Sequence, residues 1–168
     1  MLSILMTIGL GAALSNQPVD ALDLARYSGT WHEIARKPMY FERQCVRGVT
    51  ATYVPRADGT VTVRNACTTA AGKSISVEGL ARRAGAAPAE LQVRFAPAWL
   101  AWLPFVWADY WVIARDPQYR WALVGEPSRR YLWVLARAPA LDNDTLAGIL
   151  AQARRMGYRT DDLVYPAP

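Results

Sequence analysis

The segment Gly29-Thr30-Trp31-His32-Glu33-Ile34-Ala35-Arg36 opens the part of the chain on which the fold depends. It begins the first of eight short segments that are bounded by turn-forming residues, a pattern typical of an all-β chain. Alternation of apolar and polar residues is clearest at 61–63, 75–77 and 91–95, where each predicted strand has one buried and one solvent-exposed face. The predicted strands are 30–38, 46–55, 60–67, 73–83, 90–96, 108–115, 119–125 and 131–138.

One helix is predicted after the strands, beginning at Asp144, with a cap at 142–144 and a stop at Gly157. Its apolar residues form a single stripe, so the helix should pack against the outside of a folded body. Those residues are Leu146, Ile149, Leu150 and Ala153. Antiparallel strands followed by one covering helix are compatible with a sandwich or a closed barrel, and periodicity does not separate the two. The segment 163–165 is a candidate ninth strand.

The composition indicates one globular domain. The chain has 168 residues, of which 52% are hydrophobic, and its 19 basic residues are scattered without a polybasic run, which argues against a nucleic-acid partner. Residues 1–15 are uncharged and apolar and predict a signal peptide, so we expect an exported protein whose mature domain is 16–168. No cysteine lies near this junction, so lipid attachment there is not expected.

Three short motifs carry a family resemblance: Gly29-Thr30-Trp31 at the first strand, Asp109-Tyr110 at the sixth, and Arg137 at the end of the eighth. Together they resemble the bacterial branch of the lipocalin family, without the leader cysteine of its lipid-anchored members. The resemblance implies an eight-stranded antiparallel up-and-down β-barrel with a C-terminal α-helix packed outside, and Arg137 covering Trp31 at the closed end. It also implies a carrier of a fatty acid or lysophospholipid in the periplasm or at the outer membrane, acting in membrane maintenance under stress.

On the first and last strands, the residues predicted to bind the ligand follow from alternation counted from Trp31 and Arg137. On the middle strands, we assign further residues to the same lumen. They would form an apolar lumen with a few hydroxyl groups, in which a buried Glu33 needs a partner or a proton. The predicted lining is Glu33, Ala35, Val49, Ala51, Tyr53, Val61, Val63, Leu91, Val93, Tyr110, Val112, Tyr131, Trp133 and Leu135.

Cys45 and Cys67 are the two cysteines of the chain. A hairpin centred on Arg56 would place them directly opposite each other, which predicts a disulfide worth ~3 kcal/mol in an oxidising compartment. The rival interpretation is that one of them is a free reactive thiol.

Two loops at the predicted open end are unusually apolar. The first contains residues 39–41, and the third, 97–107, carries Trp99 and Trp102. Such loops fold over the mouth, enter a bilayer interface or meet a second copy of the chain. We assign Arg43, Arg129 and Arg130 to the same end, where they either face lipid phosphates or are simply solvated.

No catalytic constellation is visible, because the sole histidine, His32, lies on the predicted outer face. A metal or cofactor is not expected, since one histidine offers no cluster with ligand spacing. We therefore predict a binding protein rather than an enzyme. The alternative is a lipocalin-fold enzyme that acts on a lipid or isoprenoid through Cys45 or Glu33.

Overall fold

The chain forms a closed barrel in which each strand is hydrogen-bonded to the next and the eighth strand pairs with the first. The computed structural model describes residues 12–168, so residues 1–11 of the predicted leader lie outside the described part. The strands are β1 (Gly29–Arg36), β2 (Cys45–Pro55), β3 (Val61–Thr69), β4 (Ser74–Arg83), β5 (Glu90–Arg94), β6 (Ala108–Arg115), β7 (Trp121–Gly125) and β8 (Trp133–Ala136). The helices are α1 (Leu24–Tyr27) and α2 (Asn143–Arg155). The predicted barrel with a C-terminal helix is confirmed.

Two apolar layers hold the molecule together. The inner layer fills the closed half of the barrel around Trp31, and the outer layer lies between the barrel wall and α2. The stripe on α2 buries Ile149 and Ala153 against that wall, as its spacing predicted. The Asp142 carboxylate caps the helix by accepting the Thr145 N–H at 2.8 Å.

A β-bulge in β1 changes which side chains face the lumen. Glu33 pairs with Leu135, but Ala35 pairs with Val134, because Ile34 is an extra residue in the ladder. Beyond Glu33, the side chains that alternation predicts to face the lumen therefore face outward, and their neighbours face inward. Ala35 lies in the outer layer beneath α2, and Arg36 is buried in its place beside Glu33. The prediction that Ala35 lines the lumen is therefore wrong.

The hairpin between β2 and β3 turns two residues later than predicted. Its centre is Asp58, because the Asp58 carboxylate accepts the Thr60 N–H at 2.9 Å and Gly59 adopts a φ of +82°. Two register shifts near the start of β2 then place Cys45 opposite Thr69. Cys45 is thus a diagonal neighbour of Cys67, with a Cα–Cα distance of 5.5 Å, and the two form the predicted disulfide. The predicted pairing centre at Arg56 is wrong although the bond itself is present.

The remaining differences concern short segments. The predicted ninth strand is a single bridge between Arg36 and Val164. The four-residue α1, which Asp23 caps, was not predicted. Residues 96–114 contain two short 3-10 turns, Ala98–Leu100 and Pro104–Val106, followed by β6. Within residues 12–168, no helix has the length and apolar character needed to cross a bilayer.

Candidate ligand-binding site

The closed end of the barrel is sealed by an arginine stacked on an indole. The Arg137 guanidinium lies 3.8 Å from the centre of the Trp31 ring, which is fully buried. The same guanidinium donates to the backbone carbonyls of Arg26, Ser28 and Thr30 at 2.7 to 2.9 Å. Because Arg137 is only half-buried, this cation–π contact contributes about 1 kcal/mol. The plug therefore ties the chain entering β1 to the chain leaving β8.

Gly29 is the glycine that this plug requires. Its φ is +92°, a conformation that side chains rarely adopt, and a Cβ there would lie 3.4 Å from Nη1 of Arg137. Glycine at this position thus lets the backbone turn into β1 directly beneath the arginine. The predicted motif of Gly29, Trp31 and Arg137 meets in space.

Above the plug, the barrel encloses a cavity of about 640 Å³ that opens at the other end. Its wall is mostly apolar, with a few polar side chains, as is typical of sites for small hydrophobic ligands. The predicted ligand-binding residues that line it are Glu33, Val49, Ala51, Tyr53, Val63, Val93, Tyr110, Trp133 and Leu135.

The other predicted lining residues lie elsewhere. Val61 and Val112 belong to the inner apolar layer around Trp31. Leu91 is buried but does not line the cavity. Tyr131 lies outside the wall and packs against Phe41 of the first loop, with ring centres 5.9 Å apart.

Three tyrosine hydroxyls are linked at one side of the cavity. The Tyr110 hydroxyl lies 2.8 Å from that of Tyr27 and 2.7 Å from that of Tyr53. Burial raises the pKa of all three above the ordinary tyrosine value, so the hydroxyls keep their protons at neutral pH. Tyr110 of the predicted Asp109-Tyr110 motif is the middle member. Asp109 itself lies on the cavity rim and accepts a hydrogen bond from Gln92.

A buried charge cluster lies on the wall of the cavity. The Arg36 guanidinium contacts the Glu33 carboxylate at 2.5 Å and the Glu42 carboxylate at 3.4 Å. It also donates to the backbone carbonyls of Glu42 and Cys45, both at 3.0 Å. Burial raises the pKa of Glu33 to about 8, and repulsion from Glu42 adds to the rise, whereas Arg36 opposes it. Glu33 therefore has the partner that its burial required and also keeps a proton over much of the neutral range.

Comparison with known proteins agrees with this geometry. A family model described as a lipocalin-like domain matches residues 22–168. The chain is a member of the lipocalin family. It is 39% identical over 143 residues to temperature-induced lipocalin-1 of Arabidopsis thaliana, covering 83% of this chain and 76% of that protein. It is 40% identical over 149 residues to the outer membrane lipoprotein Blc of Escherichia coli, covering 88% and 80%.

Solved structures show the same lipocalin fold at lower identity. The cockroach allergen Per a 4 superposes with a TM-score of 0.68 at 16% identity, over 93% of this chain and 94% of that one. Insecticyanin from the tobacco hornworm Manduca sexta gives a TM-score of 0.66 at 19% identity, over 94% and 87%.

The mouth of this lipocalin is rimmed by exposed aromatic rings. In the third loop, Trp99, Trp102 and Phe105 are each more than 70% exposed, and Tyr40 and Phe41 of the first loop are also exposed. The Trp107 ring is held instead by cation–π contacts with Arg82 and Arg94. Arg43 stacks on the Tyr40 ring at 4.2 Å. The predicted apolar loops thus present their rings to solvent at the open end.

Arg129 and Arg130 are held differently from what the sequence suggested. The Arg129 guanidinium donates to the Met156 carbonyl at 2.7 Å, so it covers the C-terminal end of α2. Arg130 has an exposed side chain, and its backbone N–H is bound by the Glu126 carboxylate. Arg129 therefore has a structural role, whereas Arg130 and Arg43 remain available near the mouth.

Sequence reasoning missed Tyr27, Arg36 and Glu42, which belong to the tyrosine row and the charge cluster, as well as further lining residues such as Gln44, Asn65, Ile75 and Phe95. Tyr27 sits in a helix too short to show periodicity, and Arg36 faces inward through the bulge, which has no sequence signature here. Glu42 lies in a 3-10 turn after β1. The one available signal was Glu33, whose predicted burial demanded a cationic partner nearby.

Proposed function

We propose that this lipocalin binds and carries a fatty acid or lysophospholipid in a bacterial cell envelope and supports membrane maintenance under stress. The observation that carries the proposal is the cavity of about 640 Å³, closed at one end by Arg137 and Trp31 and open at the other. Its apolar wall suits an acyl chain. The envelope location draws on the similarity to an outer membrane lipoprotein.

We further propose that residues 1–15 are a cleaved signal peptide and that the mature protein, 16–168, is periplasmic or associated with the outer membrane. The disulfide between Cys45 and Cys67 supports this location, because such bonds persist in oxidising compartments. Cell fractionation with N-terminal sequencing of the mature protein tests it. A cytoplasmic protein that retains its first residues would contradict it.

Tryptophan fluorescence and native mass spectrometry test ligand binding with palmitate and 1-palmitoyl-lysophosphatidylethanolamine as probes. A matched pair of variants on β2 uses the two faces of the strand: Val49 lines the cavity and Val54 faces solvent. We expect Val49→Trp to narrow the cavity and weaken binding, and Val54→Trp to bind as the unmodified protein does. Absence of micromolar binding by either lipid would refute the carrier function.

The exposed rings at the mouth favour contact with an anionic phospholipid surface. Trp99 and Trp102 supply interfacial aromatic area, and Arg43 and Arg130, on two other loops of the same end, supply positive charge. We expect Trp99→Ser/Trp102→Ser to abolish cosedimentation with phosphatidylglycerol vesicles, whereas Val54→Ser, at an exposed apolar residue beside the β2–β3 hairpin of the closed end, leaves it intact. A different result would contradict membrane contact. If the unmodified protein did not bind vesicles but formed a homodimer, and the Trp99→Ser/Trp102→Ser variant were a monomer, the rings would contact a second copy of the chain instead.

The alternative enzymatic function has lost one of its two candidate groups. Cys45 is bonded to Cys67 and offers no thiol. Glu33 remains, but Arg36 holds its carboxylate. Mass spectrometry of the lipid probes after prolonged incubation with the protein separates the two functions. Probes of unchanged mass support a carrier, and a product of different mass would support an enzyme.

A further inference from the structure

The linked tyrosines have one more hydrogen than they can share. Tyr27, Tyr110 and Tyr53 form a row with two hydrogen bonds, and no other partner of their hydroxyls occurs among residues 12–168. Three protonated hydroxyls supply three hydrogens, and two of these are used within the row. One O–H donor is therefore left over.

The position of the three rings decides where the spare hydrogen goes. Tyr27 is 2% exposed and is not part of the cavity wall, so a hydrogen left on it would have no acceptor. Tyr53 and Tyr110 both line the cavity. The favoured arrangements are therefore those in which Tyr27 donates to Tyr110 and the spare hydrogen, on Tyr110 or Tyr53, points to the cavity.

The charges around the cavity select the kind of acceptor. The ionisable side chains on its wall, other than the tyrosines, are three carboxyls, those of Glu33, Glu42 and Asp109, and no lysine or arginine of the described chain lines it. Arg36, behind the wall, offsets one of these carboxyls. A ligand carboxylate beside the tyrosines would thus exchange its hydration for a neutral donor with no cation on the cavity wall, which is an unfavourable exchange. An uncharged oxygen has no such penalty.

We propose that Tyr53 and Tyr110 form a subsite for an uncharged oxygen atom of the ligand, that of an alcohol, ester or ketone. The inference rests on the proposed carrier function, because it assigns the polar contact within the same cavity. The rest of the ligand occupies the apolar wall around this contact. A ligand with an uncharged oxygen is accordingly preferred over one of equal length that ends in a carboxylate.

The test compares 1-dodecanol with dodecanoate by fluorescence titration at neutral pH. Any single tyrosine-to-phenylalanine change leaves a spare hydrogen in the row, so the decisive variant is Tyr53→Phe/Tyr110→Phe. We expect it to weaken 1-dodecanol binding by about three- to tenfold, the loss of one hydrogen bond, and to change dodecanoate binding by less than about twofold. Tyr53→Phe alone should have a much smaller effect than the double change. Tyr131→Phe is the control, because Tyr131 is a neighbouring aromatic that lies outside the cavity wall.

The triple variant Tyr27→Phe/Tyr53→Phe/Tyr110→Phe removes the hydroxyl that the double change leaves buried without a partner, and it should repeat the selective loss. Unchanged 1-dodecanol binding in a folded double or triple variant would overturn the subsite. Equal weakening of both ligands would also overturn it, because that result indicates damaged packing. If the unmodified protein bound neither ligand, nor palmitate or the lysophospholipid, the carrier function itself would be wrong.

Discussion

The two ends of the barrel use the same residue types, arginine and large aromatic rings, for opposite purposes. At the closed end, Trp31 is fully buried and Arg137 satisfies three backbone carbonyls while covering it. At the open end, Trp99 and Trp102 are 73% and 77% exposed, and their neighbouring rings are exposed as well. An arginine–aromatic pair therefore stabilises the fold where the ring is buried, whereas the rings at the mouth leave their apolar surface in contact with solvent.

Between the ends, the wall of the cavity changes in character. The row of tyrosine hydroxyls contacts the inner apolar layer through Tyr27, which packs 5.0 Å from Trp31 between ring centres. The Glu33, Arg36 and Glu42 cluster lies where β1 leads into the first loop. The cavity thus has a neutral donor on one part of its wall and ionisable carboxyls on another.

The largest expected effect is on the closed end. We expect Trp31→Ala to lower the free energy of unfolding by about 3 to 5 kcal/mol, because it opens a void in the inner layer and removes the surface on which Arg137 stacks. Urea denaturation measures the change. The same substitution at the open end, Trp99→Ala, should change stability by less than about 0.5 kcal/mol. Similar losses in both variants would abolish the distinction between the two ends.

Removal of the disulfide, whose two cysteines line the cavity, should have the next largest effect on stability. We expect Cys45→Ser/Cys67→Ser to lower the free energy of unfolding by about 3 kcal/mol, since the bond closes a loop with a sequence separation of 22 residues. Thermal unfolding with and without a reductant measures this. The reductant should destabilise only the unmodified protein, and an effect on the double variant would point to a different cause.

The charge cluster makes stability depend on pH. The pKa of Glu33 is about 8 in the folded chain, above its ordinary value of 4.5, so the folded state holds the proton more tightly than the unfolded state. The stability that protonated Glu33 contributes to the folded state is fully present below about pH 4.5 and is lost as the pH rises towards 8. We expect the stability of the unmodified protein relative to Glu33→Gln to fall between pH 5 and pH 8, by on the order of 2 kcal/mol.

Chemical denaturation of both proteins across that range measures this difference. Asp109→Asn, which removes a carboxyl at the cavity rim, is the control and should follow the unmodified profile. Parallel profiles for Glu33→Gln and the unmodified protein would show that the Glu33 carboxyl ionises at its ordinary pKa.

The smallest expected effect separates geometry from charge in the plug. Arg137→Lys keeps the positive charge but loses the planar fork that reaches the carbonyls of Arg26, Ser28 and Thr30. We expect a loss of about 1 to 2 kcal/mol in the free energy of unfolding and unchanged ligand affinity. Arg43→Lys at the mouth should leave stability unchanged. A weakened ligand affinity in Arg137→Lys would show that the closed end also contributes to binding.

Local periodicity predicted the strands and the helix, and the resemblance carried by short motifs implied the barrel order and the plug. Alternation assigned Val49, Tyr53 and Trp133 to the cavity wall, where the structure places them. The same rule failed at Ala35, because one extra residue in β1 reverses every side chain that follows it. The disulfide was predicted through an incorrect hairpin centre, and register shifts in β2 nevertheless bring Cys45 near Cys67.

Local periodicity and capping in the sequence were thus enough to predict the strands and the outer helix, whereas the closed barrel and the contact of Trp31 with Arg137 followed from the family resemblance that short motifs carry. The tertiary structure alone decided which polar groups meet inside. Tyr27 joins Tyr110 across 83 positions, and Arg36 turns inward to Glu33 and Glu42. These contacts depend on a bulge, a four-residue helix and the closure of the barrel, and the free energies that set them come from packing between distant segments rather than from local preference.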